Sequence, residues 1–324
     1  MRTPLWDGTL THGEPFYQGL QQLILKFHSF FRRQIGGSGV ASRRSPTARH
    51  RRLMAELNRL RENSGLSRVE VAERIGATDT TIWRYETGLT RPKPTDVAAL
   101  TSVYGVTGQE RDSLIQMARE ARQRGWWHRH RQALKPGFDS YIGLEAEASV
   151  VRCYEPLVVP GLMQTEPYAR AVIEATSITH TPSEVDEKVS VRISRQRLLH
   201  GSSDPIQLVA VLDEAVLRRR VGGREVMREQ LERLIDLGRL PNVEIRVIPF
   251  SAGAHAAVDG KFCLLSFPEP EDPDLVYLEQ AASGLVPEDP EEVRRYTLMF
   301  GSLTAMAFGT EASAAFIAQV AKEL

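Results

Sequence analysis

Asp79, Thr80, Trp83, Arg84 and Thr87 crowd into one short stretch, and their side chains suit the edges of base pairs. An arginine matches guanine O6 and N7 with two parallel N–H donors. A carboxylate accepts from cytosine N4, and hydroxyls serve several bases. On a helix that buries Ile82, these five residues are left largely outward. A short helix with polar and cationic residues around its N-terminal half is what reading a major groove requires.

Such a helix needs a frame, and residues 66–88, LSRVEVAERIGATDTTIWRYETG, supply one. Ser67 and Glu70 have capping-box spacing: the serine accepts from the Glu70 amide and the glutamate reaches back to the Ser67 amide. Val71, Ala72 and Ile75 make the apolar stripe of a first helix. Gly76 ends it, because glycine takes a left-handed backbone at little cost. Thr78 then offers an N-cap hydroxyl for the second helix. An ordinary helical hairpin would share this spacing, but the neighbours favour a reader. Leu53, Leu57 and Leu60 stripe a preceding helix over 48–64, and Arg61 follows Leu57 by one turn. Glu86 follows Ile82 by one turn. Opposite charges on two inward faces predict a partly buried ion pair, Arg61–Glu86. Gly88 and the rigid turn Arg91-Pro92-Lys93-Pro94 come next. Thr95 caps a helix carrying Val97, Leu100 and Tyr104, and Thr107 to Glu110 opens a fifth helix with Leu114, Ile115 and Ala118. Arg49, Arg51, Arg52 and Arg59 are expected outward on the first helix, against phosphate. Arg119, Arg122 and Arg124 near the end of the fifth suit either its dipole or DNA.

On these residues, 50–106 resemble the helix-turn-helix domain of the Cro/repressor-like (XRE) regulators. The matching positions include Leu66, Ser67, Ala72, Gly76, Thr78, Ile82, Glu86, Gly88 and Pro92. The resemblance implies the Arg61–Glu86 pair, puts Arg68 beside a phosphate, and turns Asp79, Thr80 and Arg84 toward base edges. Asp79 departs from the glutamine or serine frequent at its position; it can accept from cytosine but repels phosphate. The expected DNA contacts are therefore Arg52, Ser67, Arg68, Thr78, Asp79, Thr80, Trp83, Arg84 and Thr87.

Length and composition set the wider frame. A chain of 324 residues with an ordinary apolar fraction suggests two domains. The net charge of zero conceals an asymmetry. Residues 1–138 hold 23 Lys and Arg against 12 Asp and Glu; residues 139–324 hold 18 against 29. A basic part carrying the reader suits DNA, and the acidic remainder suits regulation or partner binding. No run of apolar residues is long enough for a transmembrane helix. The two cysteines, Cys153 and Cys263, read as reduced core residues. A cytoplasmic, nucleoid-associated location is expected, with no membrane contact.

Along the chain, residues 1–47 lack clear periodicity and are expected to be disordered or a misassigned extension. Bacterial frames can begin at GTG, which reads as valine when an upstream start is chosen, and Val40 precedes ASRRSPTARHRRLMAEL. Residues 48–124 form the DNA-binding domain. Residues 125–137 are a linker, in which Trp126 and Trp127 are expected to anchor one domain on the other. Residues 138–324 are expected to form an α+β domain, a small sheet covered by helices. Its helices are expected at 141–154, 166–175, 183–199, 224–240, 293–307 and 311–323, with a short one after Asp213-Glu214. Its strands are expected at 206–212, 243–248, 262–267 and 275–279. The fold class is thus an all-α helix-turn-helix domain of five helices plus an α+β C-terminal domain.

No catalytic motif stands in context. Ser251, His255 and Asp259 share one glycine- and alanine-rich loop, whereas triad members converge from separate segments. Glu145 and Glu147 lie on different helix faces, Asp213 and Glu214 suit a helix N-terminus, and His128 and His130 lack partners at ligand spacing. No enzyme, catalytic residue, metal or cofactor is expected. GWW at 125–127, LEAEA at 144–148, VPGLMQTEPYA at 159–169, LDEAVLRR at 212–219 and IPFSAGAH at 248–255 resemble the large C-terminal domain of actinobacterial XRE regulators. That group includes sporulation-linked regulators of streptomycetes and antitoxin-like members of the Scr1 type. It implies a transcriptional regulator, expected to be a homodimer on double-stranded DNA, with a C-terminal domain that senses a ligand or binds a small protein encoded by a neighbouring gene. An antitoxin of a toxin–antitoxin pair, or an enzyme with a DNA-targeting domain, are the alternatives.

Overall fold

The computed structural model describes residues 46–123, 125–176, 181–200, 204–269, 272–280, 283–287 and 289–324. The expectations for the N-terminal extension up to residue 45, the start at Val40 among them, lie outside the described residues.

Among the described residues, five helices occupy the first part: α1 (Pro46–Ser64), α2 (Arg68–Ile75), α3 (Asp79–Glu86), α4 (Pro94–Val103) and α5 (Gly108–Ala121). Their apolar stripes converge on one core in which Leu53, Val71, Ile82, Val97, Leu100 and Ala118 are buried. Local chemistry sets the boundaries of α2. The Glu70 amide donates to Ser67 Oγ at 3.3 Å, and the Ser67 amide donates to Glu70 Oε2 at 2.8 Å. Gly76 ends the helix at φ 71°, a conformation that L side chains rarely adopt. Tyr85 Oη donates to Asp96 Oδ2 at 2.7 Å, tying α3 to α4.

His50 on α1 carries a pH dependence. Burial, helped by the charge of Arg91, pushes its imidazole from 6.5 down to about 4. The unfolded chain therefore binds this proton more readily, and stability falls as pH drops from 6.5 through 4. Melting curves of wild type and His50→Gln over that window are expected to show a shallower loss in the variant. Parallel curves would mean that His50 does not couple to folding.

The second part is built on a mixed six-stranded sheet. Its strands are β1 (Val150–Glu155), β2 (Gln207–Asp213), β3 (Val243–Ile248), β4 (Phe262–Ser266), β5 (Leu275–Glu279) and β6 (Gly284–Leu285), in the order β3-β2-β1-β4-β5-β6. The β1–β2 and β2–β3 pairs are parallel, and the rest are antiparallel. Parallel neighbours need crossover connections. Helices α7 (Glu166–Thr176) and α8 (Pro182–Arg195) connect β1 to β2; α9 (Glu214–Arg218) and α10 (Arg224–Leu237) connect β2 to β3. Before β1 comes α6 (Phe138–Glu147), and the chain closes with α11 (Pro290–Met306) and α12 (Thr310–Glu323).

The pleat sorts the side chains. Val151, Cys153, Leu208, Ala210, Leu212, Ile245 and Val247 share a buried core with Met227 and Leu234 of α10, Ile317 of α12, and Tyr141 and Leu144 of α6. On the other face Phe262 packs against Tyr296 and Phe300 of α11. Cys153 and Cys263 are direct partners across β1 and β4, and neither is bridged.

One sequence expectation needs correction here. The helix expected over 141–154 stops at Glu147, Ala148 is extended (φ −60°, ψ 137°), and the rest is β1. The period shared by Ile142, Ala146 and Val150 hid the break, but β-branched Val150 and Val151 lie in a strand paired on both sides. The stretch 125–137, expected as a linker, contains the 3-10 helix Trp126–Ala133. Trp127 is buried and packs with Ile142 and Val191, so it anchors that helix on the sheet part.

Helix α1 is where the helical part meets the sheet part. Gly143 of α6 lies so close to it that a Cβ there would sit 2.3 Å from Thr47 Oγ1. Arg49 Nε lies 3.3 Å from Glu120 and 3.9 Å from Glu147. Arg52 Nη1 lies 3.7 Å from Asp272 and 4.0 Å from Glu269. Both arginines were expected outward, with Arg52 on DNA. Each faces carboxylates from distant segments of this chain, and Arg52 remains 31% exposed. Arg59 does face solvent, with Glu56 and Glu110 as its partners.

Candidate nucleic-acid interface and a second cavity

Helix α3 is fixed from behind and bare in front. Arg61 Nε donates to Glu86 Oε1, Arg61 Nη2 lies 3.5 Å from Glu86 Oε2, and Arg61 Nη1 donates to the Leu66 carbonyl at 3.2 Å. Asn58 Nδ2 donates to the Glu86 carbonyl at 3.2 Å. Hydrogen bonding to Glu86 raises the Arg61 pKa against the opposing effect of burial. Together with buried Ile82, these bonds hold α3 against α1 and settle which face looks outward.

On that face Thr78, Asp79, Thr80, Trp83, Arg84 and Thr87 are all exposed, as are Ser67 and Arg68 at the start of α2. Their roles divide. The Ser67 hydroxyl is engaged with Glu70, and Thr78 Oγ1 accepts from the Thr81 amide at 3.2 Å. Thr87 Oγ1 donates to the Trp83 carbonyl at 2.8 Å. These three hydroxyls shape the helix ends. Arg68 Nε lies 3.5 Å from Asp79 Oδ1, so the acid on this exposed face has a cation beside it, and the two bridge α2 to α3. Thr80, Trp83 and Arg84 are left with no side-chain partner among the described residues. Two exposed apolar residues escaped the sequence reading: Val69, 53% exposed on α2, and Leu89, 62% exposed after α3. Val69 stands outside the Val71/Ala72/Ile75 stripe, which was the available signal. Apolar side chains beside a reader helix suit thymine methyl groups.

A second site lies in the sheet part. Cys153, Cys263 and Tyr277 are successive partners across β1, β4 and β5. One pleat further on, the same face carries Glu155, Lys261 and Glu279. Lys261 Nζ is 2.8 Å from Glu279 and 3.8 Å from Glu155. Above this row, α8 contributes Arg192 and Arg195. The Arg195 guanidinium grips Glu145 of α6 with two bonds of 2.7 Å, and Tyr141 Oη donates to the same carboxylate at 2.8 Å. Glu145 is wholly buried, and its charge keeps Arg195 firmly protonated despite burial. Between row and helix is a cavity of about 360 Å³.

The loop that joined Ser251, His255 and Asp259 in sequence does not join them in space. His255 Nε2 lies 3.1 Å from Tyr154 Oη and 3.8 Å from Asp213 Oδ2, while Ser251 and Asp259 are exposed. Asp213 also caps α9, accepting from the Ala215 amide at 2.8 Å. His130 Nδ1 is 2.8 Å from Glu187.

Comparison with known families returns two matches. A family model described as a domain of unknown function (DUF5753) matches residues 138–319, and one described as a helix-turn-helix domain matches residues 52–114. No curated protein and no solved structure matches the chain. The second match takes in most of α1, all of α2 to α4 and the first half of α5. Among the described residues, no helix is long and apolar enough to cross a membrane.

Proposed function

From the premise that this chain belongs to the DUF5753 family and carries a helix-turn-helix domain, we propose that it is a sequence-specific DNA-binding transcriptional regulator of the XRE type. One observation carries the reading: Thr80, Trp83 and Arg84 stand exposed and unengaged on α3, while Arg61–Glu86 fixes that helix from behind. Direct readout needs both features, a rigid mount and free donors. Arg84 and Thr80 are assigned to base edges, with Trp83 and Val69 beside them. Arg68 and the amides at the N-termini of α2 and α3 are assigned to phosphate. Residues 48–124 act as the DNA-binding domain and 138–324 as the responsive domain, toward a ligand or a small partner protein. A homodimer reading two half-sites is the natural form of such a regulator.

Arg84→Ala tests the assignment. The variant should fold and melt like wild type, because the side chain touches nothing it would leave unpaired. On DNA it should lose about 1–3 kcal/mol of discrimination at one base-pair position. Competition binding with single-base operator variants reads this directly, and unchanged discrimination would remove Arg84 from the reading set.

A further inference from the structure

Among the described residues no carboxylate lies within ion-pair distance of Arg192, and the charges of Glu279 and Glu155 reach it only from further off. Arg192 projects from α8 into the cavity over the β1–β4–β5 row. Its one side-chain hydrogen bond among the described residues runs from Nη1 to Gln164 Oε1, at 3.0 Å. Gln164 is itself buried and pinned, its Nε2 donating to the Val159 carbonyl at 2.6 Å. The guanidinium is therefore positioned, and most of its five donors remain unused. Arg195 beside it is neutralised by Glu145, and Lys261 by Glu279. Burial and the charge of Arg195 push Arg192 down to about 10, so it still carries its proton at neutral pH.

The opposite wall offers a second unused polar group. Glu155 is buried, and its Oε2 has no hydrogen-bond partner among the described residues. Burial pushes this carboxyl up to about 7, with Lys261 opposing, so its acid form is available to donate an O–H. The remaining lining is largely apolar and aromatic, including Phe138, Val159 and Tyr277. A charge left facing such a cavity is costly unless something pairs with it. The lining cations Lys135, Arg192, Arg195 and Lys261 outnumber the lining carboxylates Glu145, Glu155 and Glu279, so the cavity carries net positive charge, larger when Glu155 is protonated. The donors left unused on Arg192 and the one open oxygen of Glu155 match a single carboxylate group.

We propose that this cavity binds a small organic monoanion, a carboxylate on an apolar body, with Arg192 as its anchor and Glu155 as a second contact. The volume, about 360 Å³, falls in the range of small-molecule sites. Helix α6 gives the site a consequence. Its Phe138, Tyr141 and Glu145 line the cavity, while its Gly143 and Glu147 meet α1 of the helix-turn-helix part. An occupant that shifts α6 thus acts on the mount of the DNA-binding helices. The inference deepens the reading of the C-terminal domain as the responsive part. Binding is measured without DNA, so its failure is distinguishable from failure of the DNA-binding reading.

The test is calorimetric titration of the full chain with phenylacetate, hydrocinnamate and octanoate, each beside its primary amide. At least one acid should bind saturably and about tenfold or more tighter than its amide, as a charge-assisted contact requires. Arg192→Gln should erase that preference, and Arg192→Lys should restore part of it, keeping the charge but not the fork. Val172→Phe, which fills the apolar wall and leaves Arg192 in place, should weaken every acid. Absence of saturable binding by all three acids, equal binding of acid and amide, a preference that survives Arg192→Gln, or undiminished binding by Val172→Phe would each overturn the assignment.

Discussion

Glu145→Ala is expected to cost about 3–5 kcal/mol, enough to unfold a large fraction of the sheet part at moderate temperature. Glu145 is 0% exposed and Arg195 is 6% exposed, so neither charge has water as a fallback. The Arg195 guanidinium also lies over the rings of Phe138 and Tyr141, 5.0 and 5.4 Å from their centroids, which holds it in place after its partner is gone. Removing the carboxylate strands a buried cation and leaves Tyr141 Oη without its acceptor. Glu145→Gln, which keeps an acceptor but loses the charge, should fall between the alanine variant and wild type. Chemical denaturation of the three proteins measures this. Equal midpoints would mean that the pair is not buried in solution.

The second large effect is expected at Glu86. Arg61 is 19% exposed and Glu86 9%, so this pair is buried on one side only, and Glu86→Ala should cost about 3 kcal/mol, toward the low end for a buried pair. The loss should fall on the helix-turn-helix part, because Arg61 also braces the Leu66 carbonyl ahead of α2. DNA affinity should fall with it, through a loosened α3 rather than a lost contact. At a temperature where the variant is fully folded, its base preference should match wild type, unlike that of Arg84→Ala. Hydrogen exchange of the α2 and α3 amides reports the loosening, and wild-type protection there would show that the pair does not hold the helix.

The helical part was legible because its signals are local. Ser67 and Glu70, Gly76, Thr78 and Gly88 each act on residues within one turn, and the Arg61–Glu86 pair follows from two overlapping periodicities. Strands β3 and β5 were legible as isolated β-branched and apolar runs bounded by turn residues. β1 was not, since its apolar run continues the period of the preceding helix, and only pairing to β2 and β4 decides its form. The partners of Arg52 were illegible for a related reason. Its outward place on the first helix was read correctly from the stripe, but Glu269 and Asp272 lie far along the chain. The cavity was invisible in sequence because Glu155 and Glu279 come from two strands and Lys261 from the residue before a third, and only cross-strand pairing puts them in one row with α8 above.

The charge asymmetry also changes meaning in the fold. Part of the positive charge on α1 is paired within the chain, onto Glu120, Glu147, Glu269 and Asp272. On α2 and α3, Arg74 and Arg84 stay exposed, as does Arg68 beside Asp79. A salt dependence for full-length protein smaller than the raw +11 balance would suggest is therefore expected.

Selection of bound duplexes from a random-sequence DNA pool by the full-length chain bears most directly on the central reading. The expected result is enrichment of one short motif, bound more tightly than random duplex and progressively released as salt rises, with Arg84→Ala relaxing one position of it. Failure to enrich any motif, with wild type and Arg84→Ala retaining the pool equally, would contradict the assignment of α3 as a base-reading helix.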